Sequence, residues 1–135
     1  MPSHKDAWLC LKKMLDDAAP TAFRVEWPNV TPDDDSRPFV EFTFVPLGSD
    51  DPTMDSSDEM IMGFVHMSII VDKDTSTEVT GEILDFLRSV YPRGRRETHG
   101  TPATKVMVSS HLEPKRLIDD GLFLRTPIDV SYQAT

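Results

Sequence analysis

Cysteine is nearly absent from this sequence, with Cys10 alone among 135 residues. An internal disulfide and a cysteine-built zinc site are thereby excluded. No stretch approaches the roughly 20 apolar residues that a membrane-spanning helix needs. The opening MPSHKDAWLC has no apolar signal core, so a cytoplasmic setting without membrane contact is expected. Neither G-x-G-x-x-G nor G-x-x-x-x-G-K-S/T occurs, so no phosphate-cradling loop is expected. Cations are scarce as well: 14 Lys and Arg face 23 Asp and Glu, a net charge of −9.

Absent too is any constellation that would carry a reaction. His4, His66, His99 and His111 lack the spacing of zinc ligands. Ser109, Ser110 and His111 are neighbours, but a strand points neighbours to opposite faces, and no G-x-S-x-G elbow is present. Cys10 lies in a helical stretch and reads as a buried structural thiol. The run that starts at Asp72 imitates a calcium loop, with Asp74, Ser76 and Glu78 at alternating positions. However, Thr77 stands where the sharp turn requires glycine, and Ile83 where a bidentate glutamate would close the site. Helix capping explains those residues better. Asn29-Val30-Thr31 matches the glycosylation sequon by chance, given the lack of a secretory signal. No catalytic residue, no metal site and no cofactor is expected.

What the chain does have is charge placed unevenly. Nine acids lie between Asp33 and Glu59, opposed by Arg37 alone, a net −8 in one fifth of the chain. Asp33, Asp34 and Asp35 are consecutive, and the others include Asp50, Asp51, Asp55 and Asp58. Such a field repels phosphates, which argues against sequence-specific nucleic-acid binding. The basic counterpart is YPRGRRE, where Arg93, Arg95 and Arg96 follow a predicted helix end, with Arg88 just before them. Part of that clustering suits the helix dipole. An acidic and a basic patch on one molecule also define a head-to-tail contact, which closes into a ring when the rotation permits.

Periodicity supplies the elements. Trp8, Leu11, Leu15 and Ala18 predict a helix from about Lys5 to Ala18, stopped by Pro20. Phe23, Val25 and Trp27 alternate with polar residues as a half-buried strand does, and Val40, Phe42 and Phe44 repeat the pattern. A mobile acidic loop is expected over residues 47–59. Met60 to Val71 is apolar on both faces, so this strand is either central or covered by a partner. Met60, Met62 and Phe64 make the second face. Thr75 and Glu78 fit a capping box for a helix whose stripe is Val79, Ile83, Phe86, Leu87 and Val90. Strands at KVMVSSHL and LFLRTPIDVSYQA follow a turn at PRGRRETHGTPAT. The order α-β-β-β-α-β-β predicts one α+β domain over residues 1–135, a mainly antiparallel or mixed sheet with two helices on one face.

The ordered pattern of WPN at Trp27, PFVEFTF at Pro38, a strand containing Gly63, a helix ending VYP and a closing I-x-V-x-Y resembles the phage and prophage tail-terminator (tail completion) proteins. The resemblance spans nearly the whole chain; the stretch from Leu47 to Glu59 has no counterpart in it. It implies a non-enzymatic α+β subunit that assembles as a ring, typically a hexamer. Such a ring caps the tail tube, ends tube polymerisation and meets the head–tail connector. The implied partners are further copies, the tail tube protein and the connector protein, first in the bacterial host cytoplasm and then in the virion neck. Another neck protein, such as a head–tail adaptor, and a small ligand-binding or regulatory domain are the alternatives. The expected interface residues are Asp33, Asp34, Asp35, Met60, Met62, Phe64, Arg93, Arg95 and Arg96.

Overall fold

The structure, a computed structural model, describes residues 2–28, 37–50, 59–74, 77–119 and 121–135, the side chains of residues 49 and 50 excepted. Asp33, Asp34, Asp35, the capping Thr75 and residues 51–58 of the acidic stretch lie outside the described residues.

Helix α1 spans His4–Ala18. Ser3 caps it by accepting the Asp6 N–H at 3.3 Å, and Ala19 closes it in the left-handed region at φ 48°. The buried stripe is Ala7, Cys10, Leu11, Met14 and Leu15. Ala18 is exposed rather than part of that stripe, because the helix ends there and Asp16, Asp17 and Ala19 around it are exposed as well. Helix α2 spans Thr77–Val90 and buries Ile83, Leu87 and Val90.

The strands are β1 (Arg24–Glu26), β2 (Phe39–Asp50), β3 (Met60–Asp72), β4 (Arg96–His99), β5 (Thr104–Val108), β6 (Glu113–Pro114), β7 (Ile118–Asp119) and β8 (Phe123–Ala134). They form one sheet in the order β1-β2-β3-β8-β5-β4, and β6 and β7 pair with β8. Only β1 and β2 are parallel. Three of these strands are additions to the predicted order. The stretch read as a turn after α2 contains β4, and β6 and β7 pair with β8 in front of it. Among the described residues, no helix is long and apolar enough to cross a membrane.

β2 runs on through Leu47 and Gly48 to Asp50, where a loop was expected. Its register slips between Pro46 and Gly48. Pro46 has no N–H to give the ladder, and Gly48 takes φ +149°, so the irregularity sits where the residues tolerate it. Pairing with β3 then resumes through Asp50 and Met60. Backbone pairing outweighs the low hydrophobicity of these residues.

β3 is central, hydrogen-bonded to β2 on one side and to β8 on the other. Its residues Ile61, Gly63, Val65, Met67, Ile69 and Val71 all face the helices and are buried. Both helices share that single core with Val40, Phe42, Val106, Val108, Ile128 and Val130. Each such side chain contributes about 1.5–3 kcal/mol by leaving water.

Gly63 is required by what lies over it. Tyr132 is its cross-strand partner, and a Cβ on Gly63 would come within 2.8 Å of the Tyr132 hydroxyl and strike the Val45 carbonyl. The Tyr132 hydroxyl accepts the Trp8 indole N–H at 3.1 Å, so α1 is latched to the last strand. On the other helix junction, the buried Tyr91 hydroxyl donates to the Leu11 carbonyl at 2.8 Å.

Candidate assembly surfaces

The face of the sheet away from the helices has two unlike ends. At one end Ser68 and Ile70 of β3 are buried although no helix covers them. Glu41 of β2 and Arg125 of β8 meet at 3.0 Å, and with β3 between their strands this pair passes over Ser68 and Ile70. The Arg24 guanidinium lies 4.7 Å from the Phe39 ring, and Phe39 is the cross-strand partner of Ile70. At the other end Met60, Met62 and Phe64 are only half-buried. No such bridge covers them among the described residues.

Register explains what else collects there. Gly48, Met62, Gln133, Met107 and Arg96 are successive partners across β2, β3, β8, β5 and β4. The fold thus brings Arg96 onto the same face and the same row as Met62, two residues from separate expected clusters. A shallow hollow of about 310 Å³ is lined by Arg96, Thr98, Lys105, Met107, Gln133 and Thr135 at the end of this row.

The three arginines are not equivalent. Arg93 and Arg96 are exposed. Arg95 donates from Nη1 to the Val90 carbonyl at 2.6 Å, satisfying the C-terminal end of α2. Nearby, the hairpin of β4 and β5 anchors α1: His99 lies 3.0 Å from Asp6, Lys13 lies 3.4 Å from Glu97, and Ser3 N–H reaches Thr104 Oγ1 at 3.1 Å. The Thr98 N–H, followed by Lys13, holds the Glu97 carboxyl below its usual range.

A second surface was not visible in the sequence. Between α1 and the β1–β2 edge runs a groove of about 710 Å³, lined by Trp8, Trp27, Phe44, Lys5, Lys12 and Leu9. Trp8 stacks on Phe44 with ring centroids 5.5 Å apart and planes 12° apart. Trp27 packs on Phe42 at 4.8 Å, and Lys12 Nζ sits 5.1 Å from the Trp27 ring centre. In the sequence each tryptophan belongs to the apolar stripe of its own element, and their meeting depends on the tertiary fold.

Reactive groups are arranged as follows. His66 Nδ1 lies 2.7 Å from Asp129 Oδ1 on the open face, and Thr43 is the cross-strand partner of His66. These three residue types can form a catalytic row. Here they stand in a row across the open face of the sheet, and no hydrogen bond joins Thr43 to His66 among the described residues. Cys10 is buried with its Sγ 3.9 Å from the Thr104 carbonyl. Burial, reinforced by Glu97 and Asp6, pushes its pKa up to about 11, so the thiol stays protonated at neutral pH. No group of three or more His, Cys, Asp or Glu is placed to hold a metal among the described residues.

Comparison with known proteins gives three findings. A family model described as phage tail terminator protein matches residues 7–132. No curated protein matches. One solved structure superposes on 98% of this chain and 96% of its own with a TM-score of 0.81 at 14% sequence identity, a likeness of fold.

Proposed function

Because this chain belongs to the phage tail terminator family, we propose that it caps the tail tube, ends its polymerisation and offers the joining surface to the head. Membership itself gives a structural role in the phage tail. The proposal adds a closed ring of identical subunits, six in number, built at the tube end from copies made in the host cytoplasm. No catalytic step is assigned to it. Beyond the family match, the row of half-buried Met62, Gln133 and Met107 leading to exposed Arg96 supports this reading most. A strip of two methionines around Gln133 that ends in a cation, on a face that carries no helix among the described residues, suits contact with another protein.

In the ring, Arg93 and Arg96, with Arg95 held between them at the helix end, face Asp33, Asp34 and Asp35 of the next subunit. Exposed ion pairs are worth about 0–1 kcal/mol each, so their effect comes from repetition around a closed ring. Sedimentation velocity and electron microscopy of purified protein, alone and with tail tube protein, test the reading. Rings that co-sediment with tubes are expected. Binding to DNA-filled heads in place of tubes would make the protein a head–tail adaptor, and a monomer under all conditions would remove the ring. An Arg93/Arg96→Glu variant is expected to lose rings, as is wild type at 1 M salt, where the Debye length is about 3 Å. Rings that survive both would leave the contact to Met60, Met62 and Phe64.

A further inference from the structure

The hairpin that carries β7 into β8 ends in bare apolar side chains. Four large hydrophobics are exposed among the described residues, and Leu117, Ile118 and Leu122 of this hairpin are three of them. Leu122 is the most open of the four, at 82%. The tip is nonetheless held in place. Asp119 accepts the Gly121 N–H at 2.9 Å and lies 3.1 Å from Lys73, while the Lys73 N–H reaches the Leu122 carbonyl at 3.4 Å. A leucine fixed in solvent on an ordered turn is preorganised to enter a neighbour's cavity.

The complementary cavity is the groove beside α1. Its floor is Trp8, Trp27 and Phe44, and Lys5 and Lys12 border it. Neither lysine has a carboxylate partner among the described residues, and Asp6 in the same turn is engaged by His99. Beside Leu122 the balance is reversed. Asp72, Asp74 and Asp119 outnumber Lys73 and Arg37 there, and Asp74 is exposed. An apolar knob with an acidic border thus matches an aromatic groove with a cationic one.

The knob cannot fill the groove of its own subunit. Leu122 adjoins the Phe123–Asp72 pair, whereas Phe44 of the groove pairs with Val65, seven residues back along β3 and about 23 Å away. β7 and β2 are also three strand spacings apart, about 14 Å across the sheet. They belong to opposite flanks. β1 and β2 form one, and the outer edge of β8 carries β7 at one end and β5 and β4 at the other. A head-to-tail contact joins one flank of a subunit to the opposite flank of the next. Leu47, the fourth exposed hydrophobic, lies on β2 with the groove, so it cannot be the knob in such a contact.

We propose that the groove receives Leu122 from the β7–β8 hairpin of a second copy of this chain, with the acidic border of that hairpin facing Lys5 and Lys12. The proposal rests on the ring assembly above and names one of its contacts. Arg96 of β4 lies on the same flank as the hairpin, so the two junctions engage the same neighbour.

The chain's two tryptophans both line the groove, so their fluorescence reports its occupancy directly. Tryptophan emission of full-length protein is followed through a dilution series alongside sedimentation velocity. A blue shift that tracks assembly is expected. Leu122→Ser is expected to abolish that shift and to weaken self-association on the order of tenfold. Its unfolding midpoint should stay in place, because the side chain is exposed. Lys5→Glu/Lys12→Glu is expected to weaken self-association by a similar factor, on the order of tenfold. Far-UV circular dichroism checks that each variant is folded. Mixing the two variants leaves one sound junction, the groove of the first with the hairpin of the second. One-to-one pairs are therefore expected where either variant alone is monomeric, and a mixture that stays monomeric would count against the contact. Leu122→Ser assemblies with an unaltered shift would mean that something other than this hairpin fills the groove. Rings without any emission shift would overturn the contact and leave the ring standing. A shift that is independent of concentration would place the filling segment in the same subunit, which also overturns it. A shift seen only on adding tail tube protein would assign the groove to that partner instead. Absence of any assembly with any partner would remove both this inference and the ring.

Discussion

The two ends of the open sheet face carry the same kind of strand to different outcomes. Ser68 and Ile70 are as buried as the helix-covered core, beneath the Glu41–Arg125 pair and the Arg24–Phe39 stack. Four residues upstream along β3, Phe64 is half-exposed, and Met62 and Met60 follow it. The difference lies in the flanking strands. β2 and β8 supply Glu41 and Arg125 at one end, but Val45, Gly48, Ser131 and Gln133 at the other. One end is finished within the subunit, and the other is left open. Apolar content alone does not distinguish a completed surface from an open one; what its cross-strand neighbours can reach does.

The largest effect expected is at the closed end. Ile70→Ala should cost about 2–4 kcal/mol in urea unfolding, like a core residue, although it faces away from both helices. A loss below about 1 kcal/mol would show that the ion-pair cover is too loose to make that end a second core. Next comes Gly63→Ala, where the new methyl group meets the Val45 carbonyl and Tyr132 hydroxyl. It should cost about 1–3 kcal/mol and disturb the tryptophan near-UV signal through the Trp8–Tyr132 latch. Unchanged stability would mean that β2 and Tyr132 yield easily.

Replacing the pair itself, as Glu41→Gln, should cost only about 0–1 kcal/mol, because both side chains are partly solvated. That loss should shrink in high salt; a cost that ignores salt would point to packing rather than charge. Smallest for the isolated subunit is Met62→Ser, within about 0.5 kcal/mol in unfolding but with clearly weaker self-association by sedimentation. A large unfolding effect with unaltered association would reverse the contrast between the two ends.

Much of this arrangement could be read before folding was considered, because some elements announce themselves through side chains. The two-sided apolar run from Met60 to Val71 predicted a strand either central or covered by a partner, and it is central; the stripe of α2 predicted its buried face. β4 could not be read in that way. Arg96, Glu97, Thr98 and His99 form an edge whose side chains are mostly solvated, so backbone pairing with β5 alone makes it a strand. The extension of β2 past Pro46 was hidden for a like reason. Of the open sheet face, the half-buried Met60, Met62 and Phe64 were visible by alternation. The Trp8–Phe44–Trp27 groove was not, since its walls come from three elements that only docking brings together.

The latch between Trp8 and Tyr132 also bears on how the molecule comes into being. Its two residues are 124 positions apart, and β3 gains its second neighbour only when β8 arrives. Closing contacts this distant in sequence is what makes β-rich domains fold in milliseconds to seconds rather than microseconds. On a ribosome, α1 therefore emerges early and waits, its apolar stripe unsheltered, until the last strand is released. The fold closes only once β8 is released, so a product truncated before β8 has neither a closed core nor a complete sheet.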